Sequence, residues 1–134
     1  MPTALSIAVL TVSDTRSIET DTSGQYLADA LVESGHQLID RQIEIDDIYR
    51  LRARVSSLIA DDETEVVLIT GGTGFTTRDS TPEAITPLLD SIIDGFGELF
   101  RQLSYEEIGT STVQSRALAG FANRTLIFCM PGST

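Results

Sequence analysis

The stretch Glu65 to Ile85, EVVLITGGTGFTTRDSTPEAI, decides the fold. EVVLIT is a short, apolar, β-rich run and reads as a buried strand. GGTG follows at Gly71 to Gly74, a glycine-crowded turn. STPEAI then has the signature of a helix start, with Ser80 and Glu83 three apart as a capping box and Pro82 in the first turn. Strand, glycine turn and helix in that order make one unit of a wound α/β sheet.

The rest of the chain repeats the alternation. LSIAVLTV at 5–12 reads as a strand. GQYLADALVESG reads as a helix with Tyr26, Leu27, Ala30 and Leu31 on its apolar face, candidate N-caps at 21–23 and an end at Gly35. HQLIDRQIEI at 36–45 reads as a second strand. The following helix places Ile48, Leu51, Val55, Leu58 and Ile59 on one face. The segment SYEEIGTSTVQSRALAG reads as a loop and a short helix, and TLIFCM at 125–130 as the last strand. Alternating helices and near-continuous apolar strands predict an α/β fold, a mostly parallel, doubly wound sheet with helices on both faces. Such sheets take ligands at the carboxyl ends of their strands. SDTR, Asp46-Asp47, GGTG and PGS each stand just past a predicted strand, so four strand ends share one crevice.

The 134 residues suit one domain, 1–134, with one core. PGST stops where such a fold continues into a covering helix, so the expectation is a domain lacking its C-terminal helix. Mean hydropathy of +0.07 fits a soluble globular chain. No apolar run reaches membrane-span length, and the N-terminus lacks a basic leader region; the expectation is a cytoplasmic protein with no membrane partner. A net charge of −11 argues against a nucleic-acid partner.

Residue counts remove whole chemistries. All nine basic residues are arginines, so there is no Walker-type lysine, Schiff base or Ser-Lys pair. One cysteine, Cys129, excludes an internal disulfide and reads as a small hydrophobe. The single His36 follows a helix end and reads as a structural or surface residue; one His and one Cys cannot build a zinc site. A metal here must be held by oxygen, which points to Mg²⁺.

Within the crevice, Gly71, Gly72, Thr73 and Gly74 match neither a dinucleotide fingerprint nor a Walker loop. Their backbone amides suit an anion, and they equally suit a tight strand-to-helix turn; spacing does not choose. Asp79 follows in the same loop and Asp46 stands at a neighbouring strand end. Two such acids can hold Mg²⁺ on nucleotide phosphates, and phosphoryl or nucleotidyl transfer needs mainly positioning and charge neutralisation. Asp46 equally reads as the N-cap of the next helix, with Asp47 competing for either role. Ser13, Ser115, and Pro131, Gly132 and Ser133 are candidate ligand contacts or ordinary loop residues.

TVSDTR, GGTGFTTRDSTPEA, EEIGTSTVQSRALAG and IFCMPGST together resemble the MoaB/Mog proteins of molybdenum cofactor biosynthesis, over essentially the whole chain and closest to the MoaB branch. The resemblance implies a three-layer α/β fold in a homotrimer or homohexamer. It implies that the protein binds molybdopterin, transfers AMP from Mg-ATP to its terminal phosphate, and releases pyrophosphate. The molybdenum insertase is the implied downstream partner. By the same resemblance Asp46 and Asp79 are the catalytic and metal-holding acids. Thr11, Ser13, Gly71, Gly72, Thr73, Gly74, Ser115, Pro131, Gly132 and Ser133 line the substrate. Ile45 departs from the family pattern, which has proline before the first acid. The alternatives are a non-catalytic pterin-binding or scaffold oligomer of the same pathway, and an unrelated nucleotide-binding α/β domain.

Overall fold

The computed structural model describes residues 4–14, 17–71, 81–93 and 118–130. The elements are β1 (Ser6–Val12), α1 (Thr22–Glu33), β2 (Gln37–Glu44), α2 (Ile48–Ala60), β3 (Val66–Thr70), α3 (Thr81–Ile85), a 3₁₀ turn (Thr86–Leu88), β4 (Ser91–Ile92), β5 (Leu118–Ala122) and β6 (Thr125–Met130). They form a six-stranded sheet in the order β2-β1-β3-β6-β5-β4. The β2, β1, β3 and β6 strands run parallel, and β5 and β4 return antiparallel at one edge.

Strand alternation assigns the two faces. Ala8, Leu10, Val12, Val67, Ile69, Ile127 and Cys129 pack with Leu51, Val55 and Leu58 of α2 and with Ala84 and Ile85 of α3. Ile7, Val9 and Val66 pack the other way, against Leu31, with Leu27 alongside. The α1 and α2 helices therefore cover opposite faces, and the chain reverses its winding between β1 and β3. That is the switch point at which an open α/β sheet leaves a ligand crevice.

Helix boundaries follow their caps. The Asp21 carboxylate accepts from the Gly24 amide at 2.9 Å and starts α1. Past its end, Gly35 adopts φ +89°, and the His36 amide bonds the Leu31 carbonyl at 2.9 Å. His36 is structural: its Nδ1 accepts from the Leu5 amide at 3.1 Å. Cys129 is fully buried, and burial pushes its thiol up to about 12, so it packs and does not react.

Two details differ from the sequence reading. Tyr26 is 73% exposed, and α1 buries Gly24, Ala28 and Leu31 instead. The four-residue and three-residue steps from Gly24 set the helix phase, and Tyr26, two residues or about 200° from both Gly24 and Ala28, falls on the opposite side. Leu118–Ala122, which begins inside the segment read as loop and short helix, is a strand. Its sequence, LAGFA, has little β preference of its own. Pairing with β6 through a tight hairpin at Asn123 and Arg124, φ +46° and +74°, overrides that weak preference. Among the described residues, no helix is long and apolar enough to cross a membrane.

Candidate functional site

The parallel strands bring Val12, Glu44, Thr70 and Met130 to one pole of the sheet. Four of the expected site residues stand there among the described residues: Thr11, Ser13, Asp46 and Gly71. Gly72, Thr73, Gly74, Asp79, Ser115, Pro131, Gly132 and Ser133 lie outside the described residues.

Gly71 leaves β3 with φ +95°. A Cβ there would stand 2.5 Å from the Val12 carbonyl oxygen, so neither the conformation nor the space admits a side chain. Its amide donates to the Met130 carbonyl at 3.0 Å, and its carbonyl accepts from the fully buried Thr81 hydroxyl at 3.1 Å. Gly71 and Thr81, the described residues on either side of 72–80, are therefore bonded to each other, and Gly71 is tied to the end of β6. Gly71→Ala is expected to lower stability by about 2 kcal/mol, the cost of a left-handed alanine plus the contact with Val12. Urea unfolding checks this; a loss below about 0.5 kcal/mol would contradict the close approach.

The turn after β2 is bonded at every amide. The Ile45 amide donates to Glu44 Oε2 at 3.0 Å, the Asp46 amide to Asp14 Oδ1 at 2.9 Å, and the Asp47 amide to the Ile45 carbonyl at 2.8 Å. Asp47 is the N-cap of α2, with its Oδ1 accepting from the Tyr49 and Arg50 amides at 2.9 and 3.0 Å. The choice left open by the sequence is thus resolved: Asp47 caps the helix, and Asp46, 9% exposed, sits one residue earlier at the pole. Gly71 stands two strands away across β1, about 10 Å of sheet.

Glu44 braces this turn. Its Oε1 accepts from Arg54 Nε at 2.8 Å. Burial pulls the carboxyl up, but the Arg54 hydrogen bond, the Ile45 amide and the charges of Arg54 and Arg50 outweigh it and hold it below the usual 4.5. A lowered carboxyl contributes stability above its unfolded value and loses it as pH falls through the folded value. Glu44→Gln is therefore expected to flatten the acid limb of stability below about pH 4.5. Because Arg54 is 42% exposed, the effect at neutral pH stays near 1 kcal/mol or less. Unfolding free energies measured from pH 7 down to pH 3 test this; parallel curves for the two proteins would contradict it.

Thr11 does other work than facing solvent. It is 5% exposed, and its hydroxyl donates to Asp21 Oδ2 at 2.7 Å. Arg41 Nη2 reaches the same oxygen at 3.3 Å. The end of β1, the start of α1 and the middle of β2 meet in this one carboxylate. Ser13 donates its amide to the Glu44 carbonyl at 2.9 Å, extending the β1–β2 ladder to the pole.

A recess of about 500 Å³ opens beside this turn, lined by Ser13, Asp14, Ile45 and Arg54 among others. A larger one, about 790 Å³, lies at the opposite pole between the loops of Asp61–Glu65 and Asn123–Arg124. Volume favours the second. Switch-point topology and the bonded acidic turn favour the first, and these are the features that position a ligand.

The donors suit a hard cation. Asp46 offers a buried carboxylate at the strand ends, and among the described residues no cluster of three His, Cys, Asp or Glu could hold a metal unaided. Mg²⁺ commonly takes one or two carboxylates and completes its shell with water and substrate phosphates. With Asp46 the one candidate metal-holding acid among the described residues of this pole, such an ion would need substrate phosphates and water to complete its shell.

Fold and pole together define an open α/β domain with its switch-point crevice at the carboxyl ends of a mixed sheet. Its family is specific: a family described as "Probable molybdopterin binding domain" matches residues 8–134. Molybdenum cofactor biosynthesis protein B of Escherichia coli (strain K12) is 60% identical over 128 residues, covering 96% of this chain and 75% of that protein. A crystal structure of a molybdenum cofactor biosynthesis protein B superposes with TM-score 0.95 at 46% identity, covering 99% of this chain and 83% of the other. The tungsten cofactor synthesizing protein MoaB from Pyrococcus furiosus superposes with TM-score 0.86 at 36% identity, over 99% of this chain and 85% of that one. The chain belongs to the MoaB/Mog family of molybdopterin-binding domains.

Two site features escaped the sequence reading. Asp14 was seen only as part of a polar run, and Thr81 only as a helix start. Asp14 carries one signal, its position two residues past β1, whereas Thr81 stands eleven residues past β3 and meets that strand end only through the Gly71 carbonyl.

Proposed function

We propose that this protein acts in molybdenum cofactor biosynthesis as a cytoplasmic homo-oligomer that binds molybdopterin and adenylylates it. A terminal phosphate oxygen of the pterin attacks the α-phosphorus of ATP. The new P–O bond forms as the bond to the bridging oxygen breaks, and pyrophosphate leaves. Asp46, with Asp79 from the Gly71–Thr81 loop, would hold Mg²⁺, which neutralises phosphate charge when bound. The Gly71, Gly72, Thr73 and Gly74 backbone is assigned to the phosphates. Ser13, Ser115 and the Pro131, Gly132, Ser133 turn are assigned to the pterin. Thr11, tied to Asp21, shapes the strand end beneath them. The product passes to the molybdenum insertase.

The observation that carries this reading is Asp46: a buried carboxylate at the switch-point pole, in a turn whose amides are all bonded. Positioned charge of this kind is what nucleotidyl transfer asks of a protein that lacks lysine. Incubation with molybdopterin, ATP and Mg²⁺ should yield adenylylated pterin and pyrophosphate in equal amounts. A folded protein that retains pterin without releasing pyrophosphate is a binding or scaffold member instead. Light scattering separates trimer from hexamer.

A further inference from the structure

We propose that Asp14 is a positioning residue for Asp46, restraining the backbone that carries that carboxylate, and the inference rests on the Mg²⁺-holding role given to Asp46 above. Asp14 stands two residues past the end of β1, and Asp46 two residues past the end of β2. The Asp14 carboxylate accepts the Asp46 amide at 2.9 Å. This is the link across the mouth of the two strands after their last ladder bond, from the Ser13 amide to the Glu44 carbonyl. On the other side of the same residue, Asp47 begins α2 and cannot shift without losing its two cap bonds. Asp46 is thus clamped by its own amide to β1 and by its successor to α2. A carboxylate on such a backbone meets a cation with little left to reorganise, whereas an unclamped turn would have to be ordered by the ion itself. Groups that orient a metal-holding side chain from behind typically change metal affinity or activity by 10- to 100-fold.

The bond, not the charge, is the claimed agent, and that separates Asp14→Asn from Asp14→Ala. An asparagine oxygen still accepts the amide; alanine accepts nothing. Mn²⁺ is the probe, titrated into the full chain with a non-hydrolysable ATP analogue and no pterin, and followed by its solution EPR signal against the analogue alone. Asp14→Ala is expected to weaken binding about 10-fold or more, and Asp14→Asn to stay within about threefold of wild type. Hydrogen exchange at the Asp46 amide should accelerate in the alanine variant alone. Equal Mn²⁺ affinity in wild type and Asp14→Ala overturns the proposal. So does an asparagine variant as weak as the alanine one, or a wild type that binds no Mn²⁺. Loss of the fold in Asp14→Ala would make the residue merely structural and overturns it too. Pyrophosphate release is scored separately. A wild type with the expected Mn²⁺ pattern and no adenylylation would sink the enzymatic reading and leave the role of Asp14 standing.

Discussion

Asp21→Ala is expected to cost about 3–5 kcal/mol of stability, the range seen when one partner of a buried ion pair is removed. Asp21 is 3% exposed and serves three elements at once. It caps α1 through the Gly24 amide, a role worth about 1 kcal/mol by itself. It also accepts the Thr11 hydroxyl and the Arg41 guanidinium. Its removal strands Arg41, whose side chain is 14% exposed and whose Nε already lacks a partner. What remains to that guanidinium is Gln25 at 2.9 Å and backbone carbonyls of residues 18 and 21. Nothing can refill the site from the helix, because Gly24 leaves the space that the carboxylate occupies: a Cβ there would lie 2.1 Å from Asp21 Oδ2. Asp21→Asn keeps the acceptor for Gly24 and Thr11 and loses only the charge, so it should cost less than half as much. Urea unfolding of the two variants measures both. A loss under about 1.5 kcal/mol for alanine would show that the three contacts are not coupled.

Much of this fold was legible because its signals are local. Three of the four parallel strands, β1, β3 and β6, are apolar runs, β2 keeps only Leu38, Ile39 and Ile43 among polar residues, and each long helix announces itself by period and cap. The antiparallel edge was not, because LAGFA carries no strand preference and acquires its conformation only by pairing with β6. That β1, β2, β3 and β6 end at one pole could be read from the alternation of elements alone. The division of labour between Asp46 and Asp47 could not, since both are good caps and only the geometry of the turn shows which one bonds the helix amides. Ile45 is the instructive case. The resemblance implies a proline before the acid, whose ring would restrain the backbone. Here the residue keeps an N–H, and that N–H is bound by Glu44, itself held by Arg54. A hydrogen-bonded restraint takes the place of a covalent one. No sequence pattern announces it, because its members are one and ten residues apart and meet only when α2 folds back along β2.

Asp46→Ala is expected to lower adenylyl transfer by roughly 10³-fold, about 4 kcal/mol of transition-state stabilisation, while pterin affinity changes by no more than a few-fold. The split follows from the assigned role. A metal-holding acid acts on phosphate charge that redistributes as the bond to pyrophosphate breaks, and it has no part in recognising the pterin ring. Asp46→Asn should be nearly as impaired, since a neutral amide oxygen is a much weaker partner for Mg²⁺ than a carboxylate. Asp79→Ala should behave in the same way. The sharper test is the pair. If the two acids hold one ion, removing either already loses it, so the double variant should fall less than about 10-fold below the worse single variant. Two acids with independent roles would instead multiply their losses to roughly 10⁶-fold, provided residual turnover can still be measured. Single-turnover rates with saturating pterin, ATP and Mg²⁺ distinguish the outcomes. Multiplicative losses would assign Asp46 a separate role, in orientation or proton transfer, and would break the two-acid site. Near-identical single and double losses with intact pterin binding would tie the buried acid of the β2 turn and the acid of the glycine loop to the same ion.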